Sequence, residues 1–223
     1  MTVAAQDWLA WHERYDQPGS LLARRLAVVQ ERIRLALDAA PPGRIDVLSM
    51  CAGQGRDLLG VLEDHPRRDE VSAVLVELDP RNTEVARRCA EELGLPGVEV
   101  VTGDAALTDH YLSSAPAQLV LACGVFGNIT AEDVHRTVEH CAALCRRGGS
   151  VVWTRHRREP DLVPSICGWF ADCGFELEFV TEPGDFGVGV HRRLDGPPPS
   201  PLRPGTRMFT FLGQLTMAQR GCQ

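Results

Sequence analysis

The chain has 223 residues, of which 44% are hydrophobic, and a formal net charge of −7. This length is most simply one domain with a sizeable core, and the acidic balance argues against nucleic-acid binding by phosphate neutralisation. All 23 cationic side chains are arginines, which excludes chemistry that needs a lysine, such as Schiff-base formation or a phosphate-binding P-loop. No run approaches the roughly 18 apolar residues of a membrane span, and the first residues lack the basic-then-apolar order of a signal peptide.

The predicted elements alternate between helix and strand. Residues 1–40 are predicted to form an N-terminal helical cap segment and residues 41–223 the ligand-binding domain, with the whole chain forming a single compact domain. Apolar spacing predicts a helix over 21–38, ended by Pro41-Pro42-Gly43, and then strands IDVLSMC, VSAVLVEL, VEVVTG, AQLVLACG and SVVWTR alternate with helices RDLLGVLED, PRNTEVARRCAEELG and AEDVHRTVEHCAALCRRGG. Such alternation predicts a parallel sheet covered by helices on both faces.

The C-terminal part changes character. After a further helix, LVPSICGWFADCG, the segments FELEFV, FGVGVHRRL and RMFTFL are strand-like with no helix between them. They predict an antiparallel hairpin plus one extra strand at the end of the sheet. The fold class is therefore α/β, a doubly wound and mostly parallel sheet, and such sheets bind ligands at the carboxyl ends of their strands.

The eight cysteines contain no C-x-x-C pair. Most lie in apolar periodic segments, which is typical of small buried residues in a reducing, cytoplasmic compartment. Cys141 and Cys145 would share a helix face beside His140, but no second ligand pair has a suitable spacing. We therefore expect no metal site.

A turn of small residues follows the first strand, in VLSMCAGQGRDLLG (47–60). Ala52, Gly53 and Gly55 would let a ligand approach the backbone closely. The dinucleotide fingerprint G-x-G-x-x-G fails because Leu58 stands at its third glycine, and the P-loop pattern fails for want of GK[ST].

Three features follow one another along the chain: this turn, an acid that ends the second strand (Glu77), and GDA after the third strand. Their order resembles that in class I S-adenosylmethionine-dependent methyltransferases over roughly residues 44–193. The resemblance implies a Rossmann-like, seven-stranded sheet with an antiparallel C-terminal hairpin and S-adenosylmethionine as the cofactor. Gly53 and Gly55 keep the last two glycines of the family's turn. Cys51 replaces the first glycine, and Ser49 replaces the acid that pairs with the cofactor's ammonium. Asp57 could supply the missing carboxylate, or only stabilise the start of its helix through the macrodipole.

The resemblance also implies roles for residues after the second and third strands. Glu77 would accept hydrogen bonds from the ribose hydroxyls, while Asp79, followed by Pro80, is expected to be a helix N-cap. Asp104 would accept a hydrogen bond from the adenine amino group, with the backbone of Ala105 beside the ring, and a capping role is compatible with this. Further cofactor contacts are expected from Ala52, Leu78, Cys123 and Gly124.

The acceptor is expected near CGVFGNI (123–129), which follows the fourth strand. This segment lacks the [D/N]-P-P-[Y/F] motif common in methyltransferases acting on base amines, so a small-molecule acceptor, an anionic one among the options, is favoured over nucleic acid. Phe126 and Asn128 are predicted to contact it, although isolated apolar residues such as Phe126 are more often core.

Two further regions carry candidate functional groups. Trp8, Trp11, His12 and Tyr15 have helical spacing, so this face would either close over the cofactor, with Tyr15 near the substrate, or dock on the sheet. In WTRHRREPD, Arg155 suits a carboxylate or phosphate of the substrate, and His156 or His12 is the candidate general base for in-line methyl transfer. A solvated basic loop is the alternative. Two other functions stay open, an RNA or protein methyltransferase and a non-catalytic cofactor-binding or interaction module, and the oligomeric state is not predicted.

Overall fold

Helices and strands alternate along the chain as predicted. This computed structural model describes residues 15, 17, 19–194, 196 and 199–212. The elements are α1 (Leu21–Ala39), β1 (Ile45–Met50), α2 (Arg56–Leu62), β2 (Val71–Glu77), α3 (Pro80–Glu92), β3 (Val98–Thr102), β4 (Ala117–Ala122), α4 (Ala131–Leu144), β5 (Cys145–His156), α5 (Val163–Asp172), β6 (Phe175–Val180) and β7 (Phe186–Arg193), with short 3-10 turns at Arg68–Glu70 and Thr108–His110. None of the helices described is long and apolar enough to cross a membrane.

The seven strands form one sheet in the order β3-β2-β1-β4-β5-β7-β6. The first five strands are parallel, whereas β7 lies antiparallel between β5 and β6. The predicted fold class, with its antiparallel C-terminal hairpin, is confirmed. Because β1 is followed outward by β2 and β3 on one side and by β4 and β5 on the other, the strand order reverses between β1 and β4. A crevice at their carboxyl ends is the usual ligand site of such sheets.

Apolar residues fill both faces of the sheet. In β1, Leu48 and Met50 face one core, which α4 and α5 cover, and Val47 faces the other. The second core includes Val29, Ile33 and Leu37 of α1, each at most 2% exposed. Helix α1 therefore packs on the sheet, and the division of the chain at residue 40 stays a prediction.

Helix starts follow their capping residues. Asp79 is the N-cap of α3, since its side chain accepts from the Arg81 N–H at 2.9 Å and Pro80 takes the first helical position, where a missing N–H costs nothing. This confirms the capping role expected of Asp79 and leaves Glu77 as the carboxylate that ends β2.

Two boundaries differ from the sequence prediction. The fourth helix was predicted to run to residue 149, but it ends at Leu144 and Cys145 already belongs to β5. Gly148, at φ 76°, and Gly149, packed against the Gln118 carbonyl, suit an irregular strand start rather than a helix. Cys141 and Cys145 therefore do not share a helix face, and no group of metal-ligating side chains occurs among the described residues.

The segment RMFTFL is not an eighth strand. It makes a single bridge, from Arg207 to Leu107, and otherwise crosses the loops that follow β3 and β4. The Met208 N–H donates to the Ala106 carbonyl at 2.8 Å, and the Leu212 N–H donates to the Asn128 carbonyl at 2.9 Å. Met208 and Phe209 are both fully buried, so the apolar residues of this segment reflect packing against the core, not membership of the sheet.

Candidate functional site

The turn between β1 and α2 has three left-handed residues at alternate positions. Cys51, Gly53 and Gly55 have φ of 51°, 57° and 72°. A Cβ at Gly55 would lie 2.8 Å from Leu59 Cδ1, so this glycine is required by helix packing as well as by φ. Cys51 adopts the same conformation with a side chain, at a cost of about 1–2 kcal/mol. The turn thus keeps its shape despite the missing first glycine.

Glu77, at the carboxyl end of β2, lies against this turn. Its Oε2 accepts from the Gly53 N–H at 3.0 Å, and its Oε1 accepts from the Asp79 N–H at 2.9 Å. Each carboxylate oxygen has a second lone pair, and the side chain is only partly buried. The carboxylate is therefore fixed in place and still able to accept hydroxyl hydrogen bonds. The neighbouring Leu78 is 54% exposed at the rim.

A polar network that the sequence analysis missed holds the turn against α3. Gln54 Nε2 donates to Asn82 Oδ1 at 3.3 Å, and Arg56 Nε donates to Gln54 Oε1 at 2.9 Å. Asn82 is fully buried. Gln54 lies between two turn glycines and Asn82 lies in α3, so the two residues form no recognisable sequence motif. They come together only in the folded chain.

Asp57 lies beside a cation and a phenol contributed by the N-terminal part of the chain. Its Oδ1 accepts from the Leu58 N–H at 2.9 Å, and burial raises the pKa of this carboxyl, opposed by that hydrogen bond and by the charge of Arg25. Arg25 of α1 donates to the Tyr15 hydroxyl at 3.0 Å. Burial also raises the pKa of Tyr15 and of the Cys123 thiol, and the Asp57 charge adds to both shifts.

These four side chains therefore share the crevice between the ends of β1 and β4. The Asp57 carboxylate could bind a ligand ammonium, and the Arg25 guanidinium could bind a ligand carboxylate. Together they suit the two charged groups of an amino acid. Ser49, near the end of β1, is 1% exposed. Asp57 and Tyr15 were sequence candidates, whereas Arg25 was missed, because the helical pattern of α1 gives it no distinction from Arg24.

Asp104 follows β3 and faces the same edge of the sheet. Its Oδ1 accepts from the Ala106 N–H at 3.0 Å, and its Oδ2 pairs with Arg207 at 2.9 Å. Burial raises the pKa of the Cys51 thiol well above its ordinary value, and the charges of Glu77 and Asp104 add to this shift, which places both acids near the turn. The partner Arg207, in the crossing C-terminal segment, was missed by the sequence analysis.

The loop after β4 is tightly organised by its own polar groups. The Gly124 N–H donates to Thr154 Oγ1 at 2.8 Å, and Asn128 Nδ2 donates to the Gly124 carbonyl at 2.7 Å. The Phe126 ring is wholly buried, 5.9 Å from the Trp153 ring. This favours packing over substrate contact for Phe126, and the substrate roles of Phe126 and Asn128 stay predictions. Ala105, 3% exposed, accepts from the Tyr111 hydroxyl at 2.8 Å.

The end of β5 lies next to this loop. Arg155 was predicted at the rim but is 7% exposed, and it donates to the Phe126 carbonyl. His156 is partly buried, and its Nδ1 accepts from the Arg158 N–H at 3.3 Å. Burial lowers the pKa of His156, and the charges of Arg155 and Arg158 lower it further, so the ring is neutral near pH 7. The candidates Trp8, Trp11 and His12 lie outside the described residues.

Solved structures share this architecture. An O-methyltransferase family protein from Burkholderia thailandensis has a TM-score of 0.65 at 20% identity, over 85% of this chain and 60% of that one. A TehB-like SAM-dependent methyltransferase from Corynebacterium glutamicum has a TM-score of 0.58 at 18% identity, over 83% and 97%. An O-methyltransferase family 2 protein from Planctomyces limnophilus, in complex with apigenin, has a TM-score of 0.62 at 17% identity, over 84% and 62%. The fold is that of class I methyltransferases.

The sequence itself carries a family match. Residues 47–149, from β1 through the start of β5, match the family model described as a methyltransferase domain. The predicted resemblance to class I methyltransferases is thereby confirmed, and with it S-adenosylmethionine as the cofactor. The chain spans three fifths of the length of the Burkholderia protein, and no curated protein matches it in sequence.

Proposed function

We propose that the protein is an enzyme that transfers the methyl group of S-adenosylmethionine to a small-molecule acceptor. The observation that carries this proposal is the Glu77 carboxylate held 3.0 Å from the Gly53 amide, with Asp104 close to the same turn. One acid for the ribose and one for the adenine amine thus flank a turn that a ligand can approach closely.

The side chains present fit the whole cofactor. Glu77 would hold the ribose, and Asp104 with the backbone of Ala105 would hold the adenine. Asp57 would take over the ammonium from the family's strand-end acid, which is Ser49 here. Arg25 and Tyr15 would face the methionine carboxylate. Burial raises the pKa of the Asp57 carboxyl, because its ionised form is poorly solvated there. A ligand ammonium would therefore stabilise this carboxylate more than it would stabilise a solvent-exposed one.

The bound cofactor would supply an electrophilic methyl group on a sulfonium, which leaves S-adenosylhomocysteine after attack by an acceptor lone pair. The protein contributes alignment, exclusion of water and a place for the acceptor's proton. His156 remains our candidate base because its ring is neutral and borders the loop after β4. Its Nδ1 lone pair would first have to leave the long hydrogen bond with the Arg158 amide.

A small molecule is the favoured acceptor for two reasons. The net charge of −7 disfavours polyanions, and one similar solved structure is of a methyltransferase-family protein in complex with apigenin. A cytoplasmic location belongs to the same proposal, since the cysteines of the described part are all free thiols.

A calorimetric titration with S-adenosylhomocysteine tests the proposal. We expect micromolar binding by the wild-type protein, no binding of NADH, and a loss of about 10- to 100-fold in affinity for Glu77→Ala, because a charge-assisted hydrogen bond to the ribose is removed. Glu178→Ala, at an exposed position of β6, is the matched control and should bind normally.

The outcomes separate the candidate functions. No binding of S-adenosylhomocysteine, or equal binding by Glu77→Ala, would refute the cofactor assignment. With binding established, labelled S-adenosylmethionine is offered with small phenols, amines and carboxylic acids, and separately with RNA and protein. Transfer to macromolecules alone would refute the small-molecule acceptor, and binding without any transfer would favour a non-catalytic module.

A further inference from the structure

Arg155 is a buried cation with little to balance it. The residue is 7% exposed, at the carboxyl end of β5. One guanidinium nitrogen donates to the Phe126 carbonyl, whereas the Nε is buried and has no hydrogen-bond partner among the residues that the structure describes. Within the same residues, no carboxylate lies within ion-pair distance of Arg155. Burial of a guanidinium in such surroundings is costly unless something pairs with it.

The surrounding charges do not supply that pair. Asp161 is the acid whose charge acts on Arg155, but its Oδ2 already pairs with Arg157 at 2.8 Å and its Oδ1 accepts from the Val163 N–H at 2.9 Å. The neighbouring Arg158 and His156 carry charge of the same sign or none. Burial accordingly lowers the pKa of the Arg155 guanidinium. A concentration of positive charge at this one strand end contrasts with the net charge of −7 for the whole chain.

The position of Arg155 relates this charge to the proposed reaction. The side chain contacts the loop after β4 through Phe126, and the same loop begins at Cys123, whose thiol lies near Asp57 in the crevice. Arg155 therefore stands on the β5 side of the crevice, away from the acids that would hold the ribose and adenine. An occupant of that side would be the acceptor rather than the cofactor.

We propose that Arg155 binds an anionic group of the methyl acceptor, a carboxylate or a phosphate, so that the substrates of this protein are small organic acids or phosphate esters. The inference rests on the proposed function for the statement that the bound anion is a methyl acceptor. The planar guanidinium offers two parallel N–H donors to such a group, and the low polarity around it strengthens the pairing.

The test uses three simple probes on the full-length protein, with and without saturating S-adenosylhomocysteine. Benzoate carries a carboxylate, phenyl phosphate carries a phosphate, and benzamide is the neutral counterpart of benzoate. Binding at millimolar concentrations is followed by ligand-observed NMR for the wild type, Arg155→Gln and the control Arg158→Gln, which removes an exposed arginine from the same strand end. Arg155→Lys keeps the charge, and thermal unfolding shows which variants fold.

We expect one or both anions to bind the wild type and Arg158→Gln, with benzamide at least tenfold weaker. Arg155→Gln should lose about 10- to 100-fold in anion affinity, and Arg155→Lys should recover part of it. The preferred anion distinguishes organic acids from phosphate esters. Equal binding of benzoate and benzamide, an equal loss in Arg158→Gln, or no anion binding that depends on Arg155 would overturn the proposal.

Failure of the proposed function is read separately. If S-adenosylhomocysteine does not bind while anion binding still depends on Arg155, the anion site is supported and the methyltransferase proposal is refuted. If S-adenosylhomocysteine binds normally to a folded Arg155→Gln variant and the anion affinity is unchanged, only the anion site is refuted.

Discussion

Replacement of Asp57 by asparagine separates the two roles that the sequence left open for this carboxylate. In one, Asp57 holds the ammonium of the cofactor in place of the acid missing at position 49. In the other, it only stabilises the first turn of α2, where its Oδ1 accepts from the Leu58 N–H at 2.9 Å. Asparagine keeps the shape and the oxygen acceptor but removes the charge.

The two roles predict different magnitudes. Loss of a charge-assisted hydrogen bond to an ammonium costs about 1.5–3 kcal/mol, which corresponds to roughly 10- to 150-fold weaker binding. Loss of a carboxylate at a helix N-terminus costs about 0.3–1 kcal/mol of stability. A second effect opposes this cost. Because the carboxyl pKa of Asp57 is raised in the folded state, its ionised form weakens folding above that pKa, and asparagine removes the penalty.

We therefore expect Asp57→Asn to bind S-adenosylhomocysteine at least tenfold more weakly while its unfolding free energy changes by less than about 1 kcal/mol. Calorimetric titration and urea unfolding measure the two quantities. Asp69→Asn, whose side chain is 90% exposed, is the control and should change neither. Unchanged affinity together with lowered stability would show that Asp57 acts only on its helix, and the relocated ammonium site would be wrong.

Two further predictions concern His191 and Arg207. His191 is wholly buried, accepts from Trp153 Nε1 at 3.0 Å, and has a pKa lowered by burial from 6.5 to about 4. Since the unfolded chain binds this proton more readily, about 3 kcal/mol of stability should be lost as the pH falls from 6.5 to 4, and urea midpoints of His191→Gln should depend less on pH over that range. Arg207→Gln should weaken S-adenosylhomocysteine binding by only about two- to fivefold, because the Arg207–Asp104 ion pair is partly exposed. Asp104→Asn should weaken binding more in the same titration. If Arg207→Gln has the larger effect, adenine recognition by Asp104 is refuted.

The fold was predictable because its signals are local and repeated. The apolar runs of β1, β2 and β4 are buried on both faces, Asp79 and Pro80 mark the start of α3, and the lack of a helix between β6 and β7 marks the hairpin. The two errors concern the end of the fourth helix and the segment RMFTFL, which was predicted to be a strand. RMFTFL is strand-like in composition, but Met208 and Phe209 are buried where the segment crosses the loops that follow β3 and β4.

The candidate site was predictable only where it depends on strand ends. Glu77 ends a strand and Asp104 follows one, and the parallel sheet brings them to one edge, as the sequence indicated. Arg25, Gln54 and Arg207 come from a helix, a turn and the C-terminal segment, and their contacts depend on tertiary packing. The burial of Arg155 was missed for a related reason, since a basic stretch after a strand is typical of a solvated loop, whereas in the fold this side chain contacts the loop after β4.

In the proposed cofactor site, the N-terminal part of the chain compensates for the missing strand-end acid. Position 49 is 1% exposed within β1, so a carboxylate there would have to be fully paired. At position 57 a carboxylate gains the positive end of α2, a backbone hydrogen bond and the charge of Arg25, yet burial still raises its pKa. That balance depends on α1, which carries Arg25 and packs on the sheet through Ile33 and Leu37. The proposed ammonium site would thus depend on α1, and the affinity lost in Asp57→Asn measures how far the relocation compensates for Ser49.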